Sequence, residues 1–351
     1  MQQLTYTAPD QLSWLAAPEP QLESDVGALV RPVAVATCDL DSLIIRGQSP
    51  FEPPFAIGHE CVAEVVDVGD AVTTLTPGQL VSVPFQISCG DCAACRRGRS
   101  ANCQTVAFMS TYGFGPAVAR WGGFLSDLVS VPYAEHMLVP VPDGLAAASV
   151  ASASDNISDA WRAVGPPLTD EPGASVLVVG GAAAGSIGLY AAGIAVAVGA
   201  ESVLYVDVDP GRRAIAASLG AETLGELPGR LGPFAITVDS SAEADGLALA
   251  LRSTAPDGIC TSTAIYFGEP PPLPMLEMYT KGITFRTGRA NAREAMPHVL
   301  ELSAAGSLHP ELVTTRVVPW ADGPDALLEG GWTKLVIERP ASGHGQASAT
   351  A

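Results

Sequence analysis

The sequence predicts an α/β protein in two parts, a β-rich half followed by an open parallel sheet with covering helices. Three observations carry that prediction. Residues 175–179 are an apolar run rich in valine, Gly180 and Gly181 break it, and Ile187, Ala191, Ile194 and Val198 then recur at helical spacing. A second run, 202–206, ends in Asp207 and completes a strand–helix–strand unit of ordinary size. Before about residue 155 the texture differs: short strand patterns at 61–68 and 79–85 are punctuated by Gly69-Asp70 and Pro77-Gly78, with little helical periodicity.

Further along, 234–238, 258–267 and 282–286 read as strands of the parallel sheet, and 290–305 as a helix. The β-like runs at 312–318 and 334–337 are expected to return to the first half. Residues 340–351 are small and polar and read as a disordered tail.

The length, 351 residues, suits about two domains, and 48% apolar residues suffice for their cores. Charged residues are only 16%, and the net charge of −19 reflects a shortage of bases, with Lys281 and Lys334 the only lysines. Nucleic acid and anionic membranes are therefore not expected as partners, since both need clustered Lys and Arg. Residues 174–200 carry no charge over a length that could span a bilayer, yet the glycine break makes them strand, turn and helix. The first fourteen residues show no secretory pattern, so a reducing cytoplasm is the expectation, where seven cysteines point to metal rather than disulfides.

Cys89, Cys92, Cys95 and Cys103 place four thiolates on one tight loop, a spacing that wraps a tetrahedral ion with no open position. Zinc fits better than an iron–sulfur cluster, whose bacterial-type run closes with a three-residue gap and a proline. An all-thiolate site of this kind is structural. A catalytic zinc instead needs three protein ligands and a vacancy, and Cys38 and His59 supply a thiolate and an imidazole. Singly each is weak, because lone cysteines and histidines are commonly core residues. Glu60 beside His59 adds the carboxylate that often accompanies a ligating imidazole.

Taken together, Cys38 with Asp41, Gly58-His59-Glu60, the Cys89 to Cys103 lobe, Gly122-Gly123-Phe124 and the later strand–helix–strand unit resemble the zinc-dependent medium-chain dehydrogenase/reductase family, the zinc alcohol dehydrogenases. The resemblance runs in family order over nearly the whole chain. It implies a GroES-like catalytic domain of residues 1–156 and 289–351 around a Rossmann doubly wound sheet of 157–288, with zinc in the cleft between them. It also implies a third zinc ligand just before the Rossmann strand, here Asp155, with Asp159 the runner-up, Glu60 an occasional fourth ligand and Asp41 orienting His59. Two zinc ions per chain, a small-molecule substrate and a homodimer or homotetramer follow from the same likeness.

The cofactor signal is Gly180, Gly181, Gly185, Ser186, Ile187 and Gly188 at a helix N-terminus, where amides and helix dipole favour a pyrophosphate. The loop departs from G-x-G-x-x-G by three extra residues. Asp207 lies where a carboxylate would accept the ribose hydroxyls, favouring NAD over NADP, while the adjacent Arg212 and Arg213 would tolerate a 2′-phosphate. One departure concerns mechanism: relatives carry Ser or Thr two residues after the first zinc ligand, and some a His further on, to relay a proton. Here those positions are Leu40 and Leu43, neither of which can move a proton. Asp39, Ser42 or Ser158 offer another route. The expected activity is hydride transfer between an alcohol or carbonyl compound and NAD(H). The alternatives are an atypical reductase or redox-neutral biosynthetic enzyme on the same fold, and a catalytically silent NAD-binding subunit.

Overall fold

The computed structural model describes residues 1–115, 120–181 and 185–342. Residues 176–286 form a six-stranded, wholly parallel sheet. Its spatial order is Glu222–Leu224, Val203–Val206, Val176–Val179, Phe234–Asp239, Thr254–Ser262, Thr284–Arg286. In chain order that is 3-2-1-4-5-6, the doubly wound arrangement whose crevice opens beyond the C-terminal end of the first strand. Val176–Val179 is buried throughout because helices cover both faces, which is why it reads as an unbroken apolar run.

The other half is built on a seven-stranded, mostly antiparallel sheet. Its long strands are Ala28–Ala36 and Glu60–Val68, flanked by Leu80–Val83 on one side and Leu335–Glu338 on the other. The chain thus leaves this half near residue 155 and returns to it after the parallel sheet. A hairpin of Gln2–Ala8 and Gln11–Ala16, which the sequence pattern did not reveal, closes one end.

Several expected strands are shorter than their patterns, among them 79–85, observed as Leu80–Val83, and 282–286, observed as Thr284–Arg286. The 258–267 run stops at Ser262, and Thr263, Ala264, Ile265 and Phe267 beyond it line a cavity. Within 312–318 only Arg316–Pro319 pairs, because Pro310–Val313 is a single 3-10 turn opened by a proline that cannot donate to a ladder. The helix expected at 290–305 is Ala292–Ala304. Of the expected tail, 343–351 lies outside the described residues.

Candidate metal centres and cofactor groove

Cys38 follows the end of strand Ala28–Ala36, and His59 and Glu60 sit where Glu60–Val68 begins; these neighbours pair through Ala36 and Glu60. Asp155 arrives from the start of helix Asn156–Asp170. Its carboxylate makes no helix cap and points instead toward His59, with Oδ2 at 3.5 Å from Nε2. Ligand atoms of Cys38, His59, Glu60 and Asp155 all lie within 4.8 Å of one another. The imidazole is fully buried, and neither ring nitrogen has a hydrogen-bond partner among the described residues. Leaving such a group unpaired costs about 1–3 kcal/mol, so the geometry fits a cation that accepts the imidazole lone pair. Asp41 stands behind the ring, with Oδ1 3.6 Å from Nδ1, and its other oxygen accepts from the Cys38 amide at 2.7 Å.

Charge supports the same fit. Burial, then the carboxylates of Asp155, Glu60, Asp41 and Asp39, push the Cys38 thiol well above its ordinary range. Burial lowers the His59 pKa, but Asp41 and Asp155 outweigh it and leave it raised. A pocket so rich in negative charge holds a thiolate and a neutral imidazole only when a cation sits among them.

Glu60 is not free to act as an ordinary ligand. Its carboxylate accepts from Lys334 Nζ at 3.0 and 3.3 Å and from the Ser152 hydroxyl, and Lys334 also donates to the Thr37 carbonyl. Both charged side chains are fully buried. Burial raises the Glu60 pKa to about 7 against the opposing pull of Lys334. Sequence reasoning missed Lys334, whose only signal was a lone lysine inside the apolar run Trp332 to Ile337. Asp159 is outside the cluster, paired with Arg162.

The four remaining predicted donors also converge. Cys92 Sγ lies 3.5 Å from Cys95 Sγ and 4.0 Å from Cys103 Sγ, bracketing the roughly 3.8 Å edge of a tetrahedron with ~2.3 Å metal–sulfur bonds. Amides of Cys89, Cys92 and Gln104 point at the sulfurs. Amides of Gln104 and Cys95 draw the Cys92 thiol down to about 6. The residues present therefore fit a closed thiolate site.

Gly185 opens helix Ser186–Val198 in a left-handed conformation, φ 79°, that a side chain would strain. Gly180 and Gly181 lie at the strand end, Gly188 and Ile187 in the first helical turn, and 182–184 outside the described residues. A Cβ on Gly181 would press on the Ser241 backbone at 2.7 Å, so the turn is cut to fit a close backbone approach. Asp207 ends the second strand as expected but is fully buried. It accepts from Arg212 at 2.7 and 2.9 Å, from the Tyr205 hydroxyl at 2.7 Å and from the Asp209 amide at 2.8 Å.

Between the halves lies a cavity of about 90 Å³ lined by Cys38, Asp39, Leu40, Leu43, Ile265 and Phe267 among others. Leu40 and Leu43 thus face the site. Of the three alternative proton-carrying residues only Asp39 lines it, since the Ser158 hydroxyl donates to the Ala153 carbonyl and Ser42 is not among its walls. Tyr112 packs against Phe124 with tilted rings, and Trp161 stacks on His298. The ring that does cover His59 is Phe114, centroid to centroid 4.1 Å.

Residues 24–143 match the alcohol dehydrogenase GroES-like domain. The chain is 30% identical over 311 residues to the probable zinc-binding alcohol dehydrogenase Rv1895 of Mycobacterium tuberculosis, covering 86% of this chain and 78% of that protein. It is 36% identical over 227 residues to an L-threonine 3-dehydrogenase of Chelativorans sp., covering 63% of this chain and 60% of that protein. Among solved structures, alcohol dehydrogenase TADH from Thermus sp. ATN1 superposes with a TM-score of 0.82 at 28% identity, over 96% of this chain and 99% of that one.

Proposed function

This chain belongs to the zinc-binding alcohol dehydrogenase family, and from that premise we propose hydride exchange between a small alcohol or carbonyl compound and NAD(H) in the cleft beside Cys38. The chain is an oxidoreductase. The observation that carries the reading is the buried, unpaired imidazole of His59 held between Cys38 and Asp155. Cys38, His59 and Asp155 would hold one zinc, and Cys89, Cys92, Cys95 and Cys103 a second. Bound there, zinc supplies Lewis acidity toward a C–O oxygen, and the dinucleotide supplies or takes up hydride.

The chain's own residues do the rest. Asp41 fixes the Cys38 amide and backs the His59 ring, while Lys334 neutralises Glu60 behind them. Leu40, Leu43, Ile265 and Phe267 exclude water, which strengthens every electrostatic contact inside. The small apolar chamber favours a short substrate. With Leu at positions 40 and 43, Asp39 is the one carboxylate among the described residues of the cavity wall, so a proton leaving the substrate would pass to water or to Asp39. The cofactor unit of this reading is 157–288, with 1–156 and 289–351 forming the catalytic unit. NAD is preferred to NADP because the Asp207 charge would oppose a 2′-phosphate, although Arg212 offsets part of it.

No helix among the described residues is long and apolar enough to cross a membrane. A reducing cytoplasm suits its seven free cysteines. A second copy is the proposed partner, since Met275, Leu276 and Tyr279 stand 63, 76 and 84% exposed beside the sheet's outermost strand, Thr284–Arg286. Sedimentation tests the dimer. For the reaction, zinc-loaded protein is assayed at 340 nm with NAD(H) and NADP(H) against short alcohols, aldehydes and ketones. Turnover with NAD(H) supports the reading; substrate conversion without change in the cofactor would favour a redox-neutral reaction, and no turnover and no dinucleotide binding would end it.

A further inference from the structure

The helix that should receive a pyrophosphate already holds an anion. Helix Ser186–Val198 has no cap from its own sequence, because Gly185 precedes it. Its first amides are instead taken by Asp39, 147 positions away in the chain and on the opposite wall of the cleft. Oδ1 of Asp39 accepts from the Ser186 amide at 3.0 Å and from the Ser186 hydroxyl, and Oδ2 accepts from the Ile187 amide at 3.1 Å. Two oxygens of one anion on two successive amides is how a phosphate sits at a helix start. Asn156 steadies the arrangement. Its Nδ2 donates to the Ser186 hydroxyl at 2.8 Å and approaches Asp39 Oδ1 at 3.4 Å, and its Oδ1 lies 3.2 Å from Cys38 Sγ.

A second observation points the same way. Arg212, which fills the hydrogen-bonding capacity of Asp207 where a ribose would bind, also overlies the glycine turn: a Cβ on Gly185 would fall 2.6 Å from its Cδ. Both polar anchor points of the groove thus hold intramolecular partners. The cavity beside Asp39 holds about 90 Å³, against the roughly 300–1,000 Å³ of ordinary ligand pockets.

We infer that Asp39 is an internal competitor for the phosphate seat of the dinucleotide, so that cofactor entry requires its carboxylate to leave the amides of Ser186 and Ile187. This rests on the dinucleotide reading above. Because Asp39 follows Cys38 directly, and Asn156 touches both Cys38 and the Ser186–Asp39 pair, displacement of Asp39 also reaches the zinc ligand. The residue therefore sets cofactor affinity: the apparent dissociation constant is the intrinsic one divided by the fraction of molecules with the seat vacant.

The test uses the full zinc-loaded chain and the variants Asp39→Asn and Asp39→Ala, with zinc content matched by metal analysis. NADH, ADP-ribose and adenosine are titrated into each, the first by its fluorescence and the others calorimetrically. Both variants should bind NADH and ADP-ribose about tenfold more tightly, with adenosine, which lacks the pyrophosphate, unchanged. The thermal midpoint of the cofactor-free variants should fall, because the helix loses its cap. A purely structural role for Asp39 would lower stability and leave binding equal or weaker, and that result overturns the inference. So would equal tightening for adenosine. If neither the natural protein nor either variant binds a dinucleotide, the cofactor reading fails together with this one; if all bind equally, only the role of Asp39 fails.

Discussion

In the cysteine lobe, four donors come from one stretch of fifteen residues, on a loop tied to the rest of the molecule through Ser100 to Glu294, Ala101 to Asn291 and Arg289 to Ala101 and Asn102. Around Cys38, the donors come from positions 38, 59 and 155, each on a different element, and a lysine at 334 completes the charge balance. The lobe's ligands are all thiols at least partly accessible or bound to local amides; the other centre is buried and mixes thiol, imidazole and carboxylates. The contrast teaches that a site closed by local chain can serve only to hold that chain. A site assembled from distant strands gains a vacancy, an enclosed chamber and carboxylates to tune it.

Replacing one donor in each centre is the most direct attack on this contrast. Asp155→Ala should cost at least about 10³-fold in kcat/KM, about 4 kcal/mol of barrier, and drop metal content from two zinc ions to one without unfolding the chain. Full activity with two ions would show that Asp155 is not a ligand. Cys92→Ser should do the reverse, lowering stability by on the order of 4 kcal/mol in denaturant titration while molecules that remain folded keep their turnover. Equal losses of activity in both variants would erase the distinction.

Lys334→Met sharpens it further. The change leaves the Glu60 carboxylate buried and unpaired, which should cost about 3 kcal/mol, and adding Glu60→Gln should recover most of that loss. Additive losses, read in a double-mutant cycle by denaturant titration, would mean that the pair is not a unit. Leu40→Ser should raise turnover of short alcohols by about 10²-fold, the lower edge of what a positioned proton carrier supplies. Unchanged rates at matched zinc occupancy would show that the missing hydroxyl has no consequence.

The smallest effect belongs to the lobe side. Burial, then Arg293, pulls the His136 imidazole from 6.5 down to about 4. The unfolded chain binds that proton below about 6.5 and the folded one does not, so stability should decline as pH falls from about 6.5 toward 4. Thermal midpoints of the natural protein and His136→Gln should diverge in that window and nowhere above it.

What could be read from sequence follows from the same contrast. Cys89 to Cys103 was legible because ligand spacing within a loop is a local property. The strand–turn–helix at 175–198 was legible because a strand buried on both faces has an unmistakable composition. Cys38, His59 and Asp155 became a set only through family likeness, since nothing local links positions so far apart. Lys334 and Asn156 were missed for that reason: Lys334 acts through Glu60 and Asn156 through Cys38, each partner more than a hundred residues away. Asp207 was placed at the correct strand end, yet its saturation by Arg212 and Tyr205 depends on side-chain packing that no motif encodes.

The position of Lys334 carries a consequence for how the molecule comes into being. Strand Leu335–Glu338 and the lysine before it leave the ribosome more than two hundred residues after Cys103 completes the lobe. At roughly 5–20 residues per second, the interval is on the order of 10–50 s. During that interval the four thiols of the lobe can already come together, while Glu60 has no counter-charge and strand Ala28–Ala36 lacks its Leu335–Glu338 neighbour. Assembly is thereby ordered in time: the four thiols of the lobe can gather during synthesis, and the buried cluster around His59 has its charge balance and its neighbouring strand only after Glu338 has been made.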